Sequence, residues 1–427
     1  MSELKVGTQL KLRNGASCKV KKELGRGGQG IVYLVDYNGK DYALKWYTMK
    51  VSEAFYQNME RNVRNGAPSP NFLWPEAITE HQEGSWGYVM KLRPQGYEEV
   101  SQFLLAHVKF TDISHMLKAC LQICTAFQLL HIRGLSYQDM NDGNFFINPK
   151  NGDVLICDND NVAPNGVNMG IAGKAGYMAP EVVDQTSMPN VYTDYFSLSV
   201  VLFLLIYMNR PFLGAKSMCP CMTPEIEKQL NGKSAVFILD PKDASNRPVN
   251  GIHKNVIKRW PIFPKQLREA FIATFSKEAM LDPTKRVMDR TWQNILVQVR
   301  SMFVKCPICG KPTFVNVDGA NSVCLDCGKT IERPALLKMG KYQCPVVPEQ
   351  KIYQCQVSFD NDYEKVVGEV IRNPKDPNKW GIRNLSGMPW TITTASGEIK
   401  NIDHNGVVPV MAGLKIRFTK DVTGELI

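Results

Sequence analysis

The sequence predicts an α+β fold built from several domains. Residues 1 to about 95 contain mostly strand-like stretches, and residues from about 101 to 303 contain mainly helix-like patterns. Residues from about 345 onward alternate apolar and polar residues, as short strands do. With 427 residues, 44% of them hydrophobic, the chain is long enough for two or three domains with substantial cores.

The composition indicates a mildly basic protein with a net charge of +10. Such a charge suits anionic ligands such as nucleotide phosphates, or acidic partners, and equally a diffusely basic soluble protein. The first residues show no signal peptide, and the most apolar run, residues 196–208, is too short to span a bilayer. The 12 cysteines show no disulfide framework, so we expect a cytoplasmic protein that contacts no membrane.

A glycine-rich segment between two predicted strands is typical of a phosphate-binding loop. It contains Gly25, Gly27, Gly28 and Gly30, with a strand rather than a helix after it, so it is not the dinucleotide-binding fingerprint. Glycines let a hairpin lie close over phosphates and turn its amides toward them. Lys45 follows fifteen residues after Gly30, in a strand-like segment from which a lysine would reach the same phosphates.

The most specific pattern lies in residues 131–144. Asp139 and Asn144 are five residues apart there, and Asp158 follows fourteen residues later, at the end of a strand-like segment. Phosphoryl transfer needs a carboxylate at the incoming hydroxyl group and oxygen ligands for Mg²⁺, which these three side chains offer.

Together with Ala179-Pro180-Glu181, Asp194 and Arg286, these motifs resemble protein kinases over about residues 15–303. The resemblance implies a bilobal kinase fold in residues 1–303, with lobes at about 1–95 and 96–303, and transfer from ATP and Mg²⁺ to Ser or Thr of a protein substrate. It assigns Asp139 to the acceptor hydroxyl, and Asn144 and Asp158 to Mg²⁺. It assigns nucleotide binding to Gly25, Gly27, Gly28, Gly30, Val32, Ala43, Lys45, Met90, Leu92 and Phe146.

The resemblance also predicts two ion pairs, and the apolar run after Asp194 predicts a helix cap. Lys45 would pair with Glu60 of a helix at residues 52–65, although the short interval between them leaves a surface position for Glu60 open. Glu181 and Arg286 would form a buried pair. Asp194 would cap the apolar helix that follows it.

Several positions depart from the kinase pattern, among them Tyr137 in place of histidine and Asn159 in place of phenylalanine. Gln138 replaces the arginine that would receive an activation-loop phosphate, and residues 158–181 contain no Ser or Thr, so we expect no phosphorylation switch there. Asp160 replaces a glycine; it is either a tolerated variant or an additional metal ligand. Asn141 replaces the loop lysine, and Lys174 either restores that cation near Asp139 or lies in solvent.

The pattern of these departures, together with residues 235–261, resembles bacterial kinases of stress-linked phosphorylation triads. Members of that family are encoded beside a PP2C-type phosphatase and a von Willebrand A-type protein. The resemblance implies that such proteins are partners or substrates.

Two Cys-x-x-Cys-Gly knuckles predict a zinc ribbon at residues 304–332. Cys306, Cys309, Cys324 and Cys327 would complete a closed tetrahedral site, so its Zn²⁺ would be structural, with redox chemistry as the alternative. The module lacks a dense basic or aromatic cluster, so no nucleic acid partner is expected.

Residues 345–427 predict a small all-β sandwich. The segments around Trp380, Trp390 and Gly413–Phe418 resemble a forkhead-associated (FHA) domain, with Gly413–Phe418 as its closing strand. The sequence has no Ser-x-x-His, so phosphopeptide binding does not follow from this resemblance; a generic sandwich that docks partners is the alternative.

Three functions remain open on these grounds. The first is an active Ser/Thr kinase. The second is a pseudokinase scaffold that binds nucleotide and presents its ribbon and β domain to partners. The third, a small-molecule phosphotransferase, is less favoured because Ala179-Pro180-Glu181, which frames peptide substrates in kinases, is intact.

Overall fold

The computed structural model describes residues 3–82, 84–171 and 173–427, without the side chains of residues 377 and 378. The chain forms two compact units, Met1–Ile257 with Phe271–Arg290 and Lys258–Ala270 with Thr291–Ile427.

The first unit begins with a six-stranded antiparallel sheet in the order β1-β2-β3-β4-β6-β5. Alternate residues of the third strand, among them Ile31, Tyr33 and Val35, are buried in one cluster with Leu44 and Trp46 of the fourth. This alternation confirms the strands predicted from the sequence. The strands are β1 (Gln9–Lys11), β2 (Ser17–Arg26), β3 (Gly30–Tyr37), β4 (Lys40–Tyr47), β5 (Pro75–Ile78) and β6 (Gly87–Lys91).

Helix α1 (Glu53–Asn65) packs beside this sheet, as predicted. Ser52 caps its first turn by accepting a hydrogen bond from the amide of Phe55, and Gly66 ends it with a positive φ of 68°. Phe55 and Met59 lie on its buried face.

The chain from Glu98 to Met302 is mainly helical. Its elements are β7 (Glu98–Glu99), α2 (Val100–Leu104), α3 (Ile113–Ile132), β8 (Leu135–Ser136), β9 (Phe145–Ile147), β10 (Val154–Ile156), β11 (Ala163–Pro164), α4 (Pro180–Val183), α5 (Val191–Tyr207), α6 (Pro224–Asn231), α7 (Lys254–Arg259), α8 (Lys265–Thr274), α9 (Lys277–Leu281) and α10 (Asp289–Met302).

Helix α3 lies in the interior of this lobe. Its residues Cys120 and Cys124 are buried, as their spacing predicted. By length and composition alone this helix would also suit a membrane crossing, and 61% of its apolar window is buried inside the protein.

The expected cap of the apolar helix was wrong. Helix α5 begins at Val191, and its cap is Asn190, whose side chain accepts hydrogen bonds from the amides of Tyr192 and Thr193. Asp194 lies one turn inside the helix and is buried. Its carboxylate instead accepts from the amides of Tyr137 and Gln138, in the loop of residues 137–144 that we call the catalytic loop.

The second unit contains two small hairpins and two larger antiparallel sheets, ordered β17-β16-β25-β24-β21-β22 and β18-β19-β20-β23. Residues of both sheets, including Ile416 and Ile382, belong to one buried cluster in which the ring of Trp390 packs edge-on against Phe418 at 4.8 Å. The elements are β12 (Phe303–Lys305), β13 (Pro312–Phe314), β14 (Ser322–Val323), β15 (Thr330–Ile331), β16 (Leu336–Met339), β17 (Tyr342–Pro345), β18 (Lys351–Tyr353), α11 (Gln354–Val357), β19 (Val366–Asn373), β20 (Asp376–Asn384), β21 (Trp390–Thr393), β22 (Ile399–Ile402), β23 (Val407–Pro409), β24 (Lys415–Arg417) and β25 (Thr423–Leu426).

The second unit starts earlier than residue 304. Residues Thr291–Met302 of helix α10 belong to it, where Gln298 exchanges hydrogen bonds with the backbone of Gln343 at 2.8 and 2.9 Å. The guanidinium of Arg300 also lies 3.5 Å from the ring centre of Tyr353. These contacts join residues more than forty positions apart, which a local pattern does not reveal.

The β sandwich begins before the expected residue 345. Strand β16 begins at Leu336 and pairs with the last strand, Leu337 opposite Leu426, so residues that the sequence placed outside the sandwich belong to its sheet. The segment Gly413–Phe418 does not close the fold, because β25 follows it and pairs with β24.

Candidate active site and metal centre

The glycine-rich loop is the turn between β2 and β3. The amide of Gly27 donates to the carbonyl of Gly30 at 2.9 Å, which closes the hairpin. A side chain at Gly30 would place its Cβ 2.1 Å from the carbonyl oxygen of Trp46, so the close approach of β3 and β4 requires glycine there. A Cβ at Gly25 or Gly28 would meet nothing within 4 Å, so there the fold itself does not require glycine.

Four of the predicted nucleotide-binding residues meet in one apolar cluster between the two lobes. Ala43 and Met90 are buried and face each other across β4 and β6, and Val32 and Leu92 pack against the same cluster. Phe146 is not part of it; the guanidinium of Arg93 lies 4.0 Å from its ring centre.

Lys45 lies between two carboxylates of the segment that follows β10. Its Nζ is 2.6 Å from Asp160 Oδ2 and 3.3 Å from Asp158 Oδ1. The Asp160 side chain is 0% exposed, whereas that of Asp158 is 45% exposed and open to a ligand. Burial would lower the pKa of Lys45, but the charges of Asp160 and Asp158 outweigh it and raise the pKa above its usual value.

The structure does not bring Glu60 to Lys45. Glu60 Oε1 pairs instead with Arg13 at 3.0 Å, and its side chain is 28% exposed. Helix α1 faces the segment after β10 with Asn58 and Asn62, which are buried and each donate to the carbonyl of Val162 at 2.8 Å. Of the two alternatives, a position at the surface therefore fits Glu60, and the ion pair with Lys45 does not form.

The catalytic loop is anchored by Asp194. Its carboxylate accepts from the amides of Tyr137 and Gln138 at 2.6 and 3.0 Å and contacts His131 Nε2 at 3.2 Å. His131 Nδ1 reaches Asp289 Oδ2 at 2.8 Å. Burial opposes the charged form of His131, but the two carboxylates raise its pKa to about 9.

Asp139 and Asn144 lie together at the end of that loop. The side-chain amide nitrogen of Asn144 donates to the backbone carbonyl of Asp139 at 2.7 Å, so the amide oxygen is the atom of this side chain that could bind a cation. Burial, and then the charge of Asp158, raise the pKa of Asp139. Burial also raises the pKa of Asp158, with Lys45 opposing the shift and Asp160 adding to it.

Lys174 binds a different carboxylate from the one expected. Its Nζ lies 2.6 Å from Asp142 Oδ1, and the Lys174 side chain is 51% exposed. Burial would raise the pKa of Asp142, but Lys174 outweighs it and holds the pKa below its usual value. The cation thus joins the catalytic loop through Asp142, three residues beyond Asp139.

Gln138 replaces an ionic contact with neutral ones. Its amide nitrogen donates to Ser136 Oγ at 3.0 Å and to the carbonyl of Val167 at 2.6 Å, and its amide oxygen accepts from Asn168 at 2.9 Å. The catalytic loop therefore holds residues 167–168 directly, without a phosphate group.

The predicted pair of Glu181 and Arg286 is present and buried. Arg286 donates to both carboxylate oxygens, at 2.8 and 2.6 Å, in a bidentate arrangement. It also donates to the backbone carbonyl of Tyr192, so it ties the segment after Asp158 to helix α5.

The four knuckle cysteines converge on one point. One sulfur atom from each of Cys306, Cys309, Cys324 and Cys327 lies within 4.8 Å of the other three, and Cys309 Sγ is 3.7 Å from Cys324 Sγ. A tetrahedral site with Zn–S bonds of about 2.3 Å needs sulfur atoms roughly 3.8 Å apart. The cluster is therefore compatible with Zn²⁺.

The sequence missed three contributors to the site. Tyr47 donates to Asp160 Oδ2 at 2.7 Å, Gln29 Oε1 lies 3.4 Å from Lys45, and Asp142 binds Lys174. Tyr47 lies two residues after Lys45 on a strand, so both side chains point to the same face, and that period could have indicated it.

Comparison with known proteins supports the reading of these motifs. The family model described as protein kinase domain matches residues 18–286, more than half of the chain.

The chain is 29% identical over 203 residues to calcium-dependent protein kinase 9 of Arabidopsis thaliana, covering 45% of this chain and 36% of that protein. It is 25% identical over 205 residues to mitogen-activated protein kinase kinase kinase 7 of Drosophila melanogaster, covering 46% and 29%. It is 27% identical over 209 residues to MAP kinase-interacting serine/threonine-protein kinase 1 of Xenopus tropicalis, covering 44% and 48%. The chain thus spans less than half the length of each of these relatives.

Proposed function

This chain belongs to the protein kinase family, and we propose that it transfers the γ-phosphate of ATP to a serine or threonine hydroxyl group of a protein substrate. The observation that carries the proposal is the approach of Lys45 to Asp158 at 3.3 Å, across 113 residues of sequence. This contact joins the lysine expected at the phosphates to the carboxylate expected at the metal.

The residues of the site fit nucleotide and Mg²⁺. Asp158 and Asn144 offer the oxygen ligands that Mg²⁺ prefers, and the Asp158 carboxylate is open to an ion. Bound ATP and Mg²⁺ would supply the phosphoryl group and neutralise its charge. Lys45 would hold the phosphates under the glycine-rich loop, with Val32, Ala43, Met90 and Leu92 around the base.

Asp139 would orient the acceptor hydroxyl group and accept its proton, while that oxygen bonds to the γ-phosphorus and the bond from this phosphorus to the leaving ADP breaks. Burial and the charge of Asp158 raise the pKa of Asp139, which makes it a better proton acceptor than an ordinary carboxylate. Lys174 would steady the same loop through Asp142.

The direct test is transfer of radiolabel from γ-labelled ATP to a panel of proteins. Asp139→Asn and Asp158→Asn should each lower transfer by roughly 100-fold or more, because they remove the proton acceptor and a metal ligand. Asp41→Asn, at an exposed aspartate of the first lobe, is the control for a carboxylate-to-amide change and should leave transfer unchanged.

A nucleotide-binding scaffold is the competing function. It is favoured by the buried ion pair of Lys45 with Asp160, which occupies the lysine that phosphates would use. Wild-type protein that binds ATP but transfers no label to any protein in the panel, nor to itself, would support the scaffold against the kinase.

For the remaining features we propose the following assignments. The Cys₄ module binds one structural Zn²⁺, supported by the spacing of its sulfur atoms. The C-terminal sandwich is FHA-like and docks partners, supported by its two antiparallel sheets. The substrates include von Willebrand A-type and PP2C-type proteins, supported by the resemblance in residues 235–261. The protein acts in the cytoplasm.

We further propose that no Ser/Thr phosphorylation of the activation segment controls the enzyme. Residues 158–181 contain no Ser or Thr, and Gln138 already binds Val167 and Asn168 of that segment. An arginine and a phosphate are therefore not needed to hold these two residues.

A further inference from the structure

Asp160 is a buried carboxylate in direct contact with Lys45, whose Nζ lies 2.6 Å from its Oδ2. Asp160 is 0% exposed, and its Oδ2 receives hydrogen bonds from Lys45 and Tyr47, while its Oδ1 has no hydrogen-bond partner within the part of the chain that the structure describes. A buried carboxylate without a cation is strongly unfavourable. Lys45 and Asp160 therefore stabilise each other as a buried ion pair. Asp158 is a second, more distant partner of Lys45, at 3.3 Å.

Helix α1 contributes amides rather than a charge. Asn58 and Asn62 donate to the carbonyl of Val162, and the one glutamate expected at Lys45, Glu60, pairs with Arg13. Among the described residues, the carboxylates in ion-pair distance of Lys45 are those of Asp158 and Asp160.

Asp160 is held rigidly two residues after the metal ligand. The short helical turn Asn159–Asn161 begins directly after Asp158, and the Asn159 amide donates to the carbonyls of Leu73 and Ile156 at 2.9 and 3.1 Å. The proposed metal ligand and the partner of Lys45 thus belong to one short segment, which Asn159 anchors to Leu73 and Ile156.

We infer that Asp160 is the positioning residue for Lys45, in the role that a carboxylate of helix α1 would otherwise have. This inference rests on the proposed kinase function, which gives Lys45 its phosphates. It ties the lysine to the segment 158–162, so a shift of helix α1 does not break the lysine's ion pair, whereas a shift of that segment displaces lysine and metal ligand together.

The experiment compares two carboxylate-to-amide changes in the full chain, Asp160→Asn and Glu60→Gln. Two quantities are measured: kcat/KM for ATP, and the rate at which an amine-reactive ester acylates Lys45 without nucleotide, followed across pH by peptide mass spectrometry. Loss of the buried anionic partner makes the unprotonated amine of Lys45, the form that the ester acylates, more abundant at a given pH. A change of one unit in the pKa of an amine changes that abundance about tenfold.

In Asp160→Asn, the ester should therefore acylate Lys45 about tenfold faster at mildly alkaline pH. The same variant should lower kcat/KM for ATP on the order of 100-fold, because a misplaced lysine no longer holds the phosphates in the reactive geometry. Glu60→Gln should change neither quantity. Equal acylation of Lys45 in wild type and Asp160→Asn, or faster acylation in Glu60→Gln, overturns the inference.

A second variant covers the case in which Asp160→Asn does not fold. Tyr47→Phe removes the hydroxyl group that donates to Asp160 but keeps the carboxylate. The acylation rate of Lys45 should therefore change measurably, but by less than in Asp160→Asn. An unchanged rate overturns the inference. If the wild type transfers no phosphate, the acylation measurement still decides the anchoring of Lys45, so the two proposals fail separately.

Discussion

At the scale of single residues, the site keeps its chemistry while several of its usual partners are exchanged. Gln138 replaces a cation by an amide that binds Val167 and Asn168, and Asp160 replaces a glycine by the anion that holds Lys45. Both side chains are buried, and both are hydrogen-bonded there, Gln138 through its amide and Asp160 through Oδ2.

Gln138→Arg should destabilise the protein and lower its activity. The buried amide would become a guanidinium with no carboxylate or phosphate to meet it, at a cost of roughly 2 kcal/mol or more. Denaturant unfolding measures the effect, and Gln57→Arg on the exposed face of helix α1 is the matched control. A Gln138→Arg protein as stable as wild type would show that the neutral contacts to residues 167–168 contribute little.

The acid limb of kcat should reflect Asp139. Its pKa is raised above 3.8 by burial and by Asp158, and the carboxylate must be ionised to accept a proton. As pH falls, Asp139 is therefore protonated earlier than an ordinary aspartate, and kcat should fall in the same range. A pH profile measured at saturating substrate tests this; a kcat that stays constant until below the usual pKa of an aspartate would contradict it.

At the scale of elements, a buried histidine joins three helices. His131 ends α3, Asp194 lies in α5, and Asp289 begins α10, so one imidazolium ties these ends together. The same Asp194 holds the backbone of the catalytic loop, so the packing of α3 and α5 sets the position of Asp139.

This cluster predicts a pH dependence of stability. The pKa of His131 is raised to about 9 from an ordinary 6.5. The stabilisation that its charged form gives the folded protein is therefore fully present below pH 6.5 and is lost as pH rises through 9. The stability difference between wild type and His131→Gln should thus shrink over this range, by roughly 3 kcal/mol. Urea unfolding at several pH values measures it, with the exposed His107→Gln as control; a constant difference would mean that His131 is not charged.

The cysteine knuckles form a second element with a direct test. We expect one zinc ion per chain, and Cys306→Ser or Cys327→Ser should remove most of it, because each takes one of four thiolate ligands. Elemental analysis measures the content, and the exposed Cys221→Ser is the control, since it lies outside the cluster. Full zinc content in both knuckle variants would exclude this site.

At the scale of the whole molecule, a protein kinase domain that matches residues 18–286 is followed by a unit with its own cores around Trp390 and around the knuckle cysteines. The activation segment of the kinase domain carries no Ser or Thr, so phosphorylation of this segment on those residues is not available as a control.

Treatment of the active protein with a Ser/Thr phosphatase should therefore leave its turnover unchanged. Residues 158–181 offer no Ser or Thr to dephosphorylate, and Gln138 holds residues 167–168 without a phosphate. Phosphosite mapping of the same sample is the companion measurement. Loss of turnover after the treatment would contradict this prediction, as would a phosphate mapped to residues 158–181 on which turnover depends.

The motifs alone were sufficient for the family, the strands of the first sheet, the catalytic loop and the cysteine cluster, because each depends on residues close together in sequence or on spacing that the chemistry imposes. The partners of Lys45 and Lys174 were not predictable in this way. Asp160 lies 115 residues from Lys45, and whether it or Glu60 reaches the lysine depends on the rotation of helix α1 against the sheet.

The same limit explains the errors at the boundaries. Strand β16 belongs to the sandwich because it pairs with β25, and helix α10 belongs to the second unit because Gln298 pairs with Gln343. Local patterns establish which chemistry the chain carries, since reactive side chains need neighbours at fixed spacing. Long-range packing establishes which partner each charged side chain meets, since a buried charge takes whichever counter-charge the fold brings within hydrogen-bond distance.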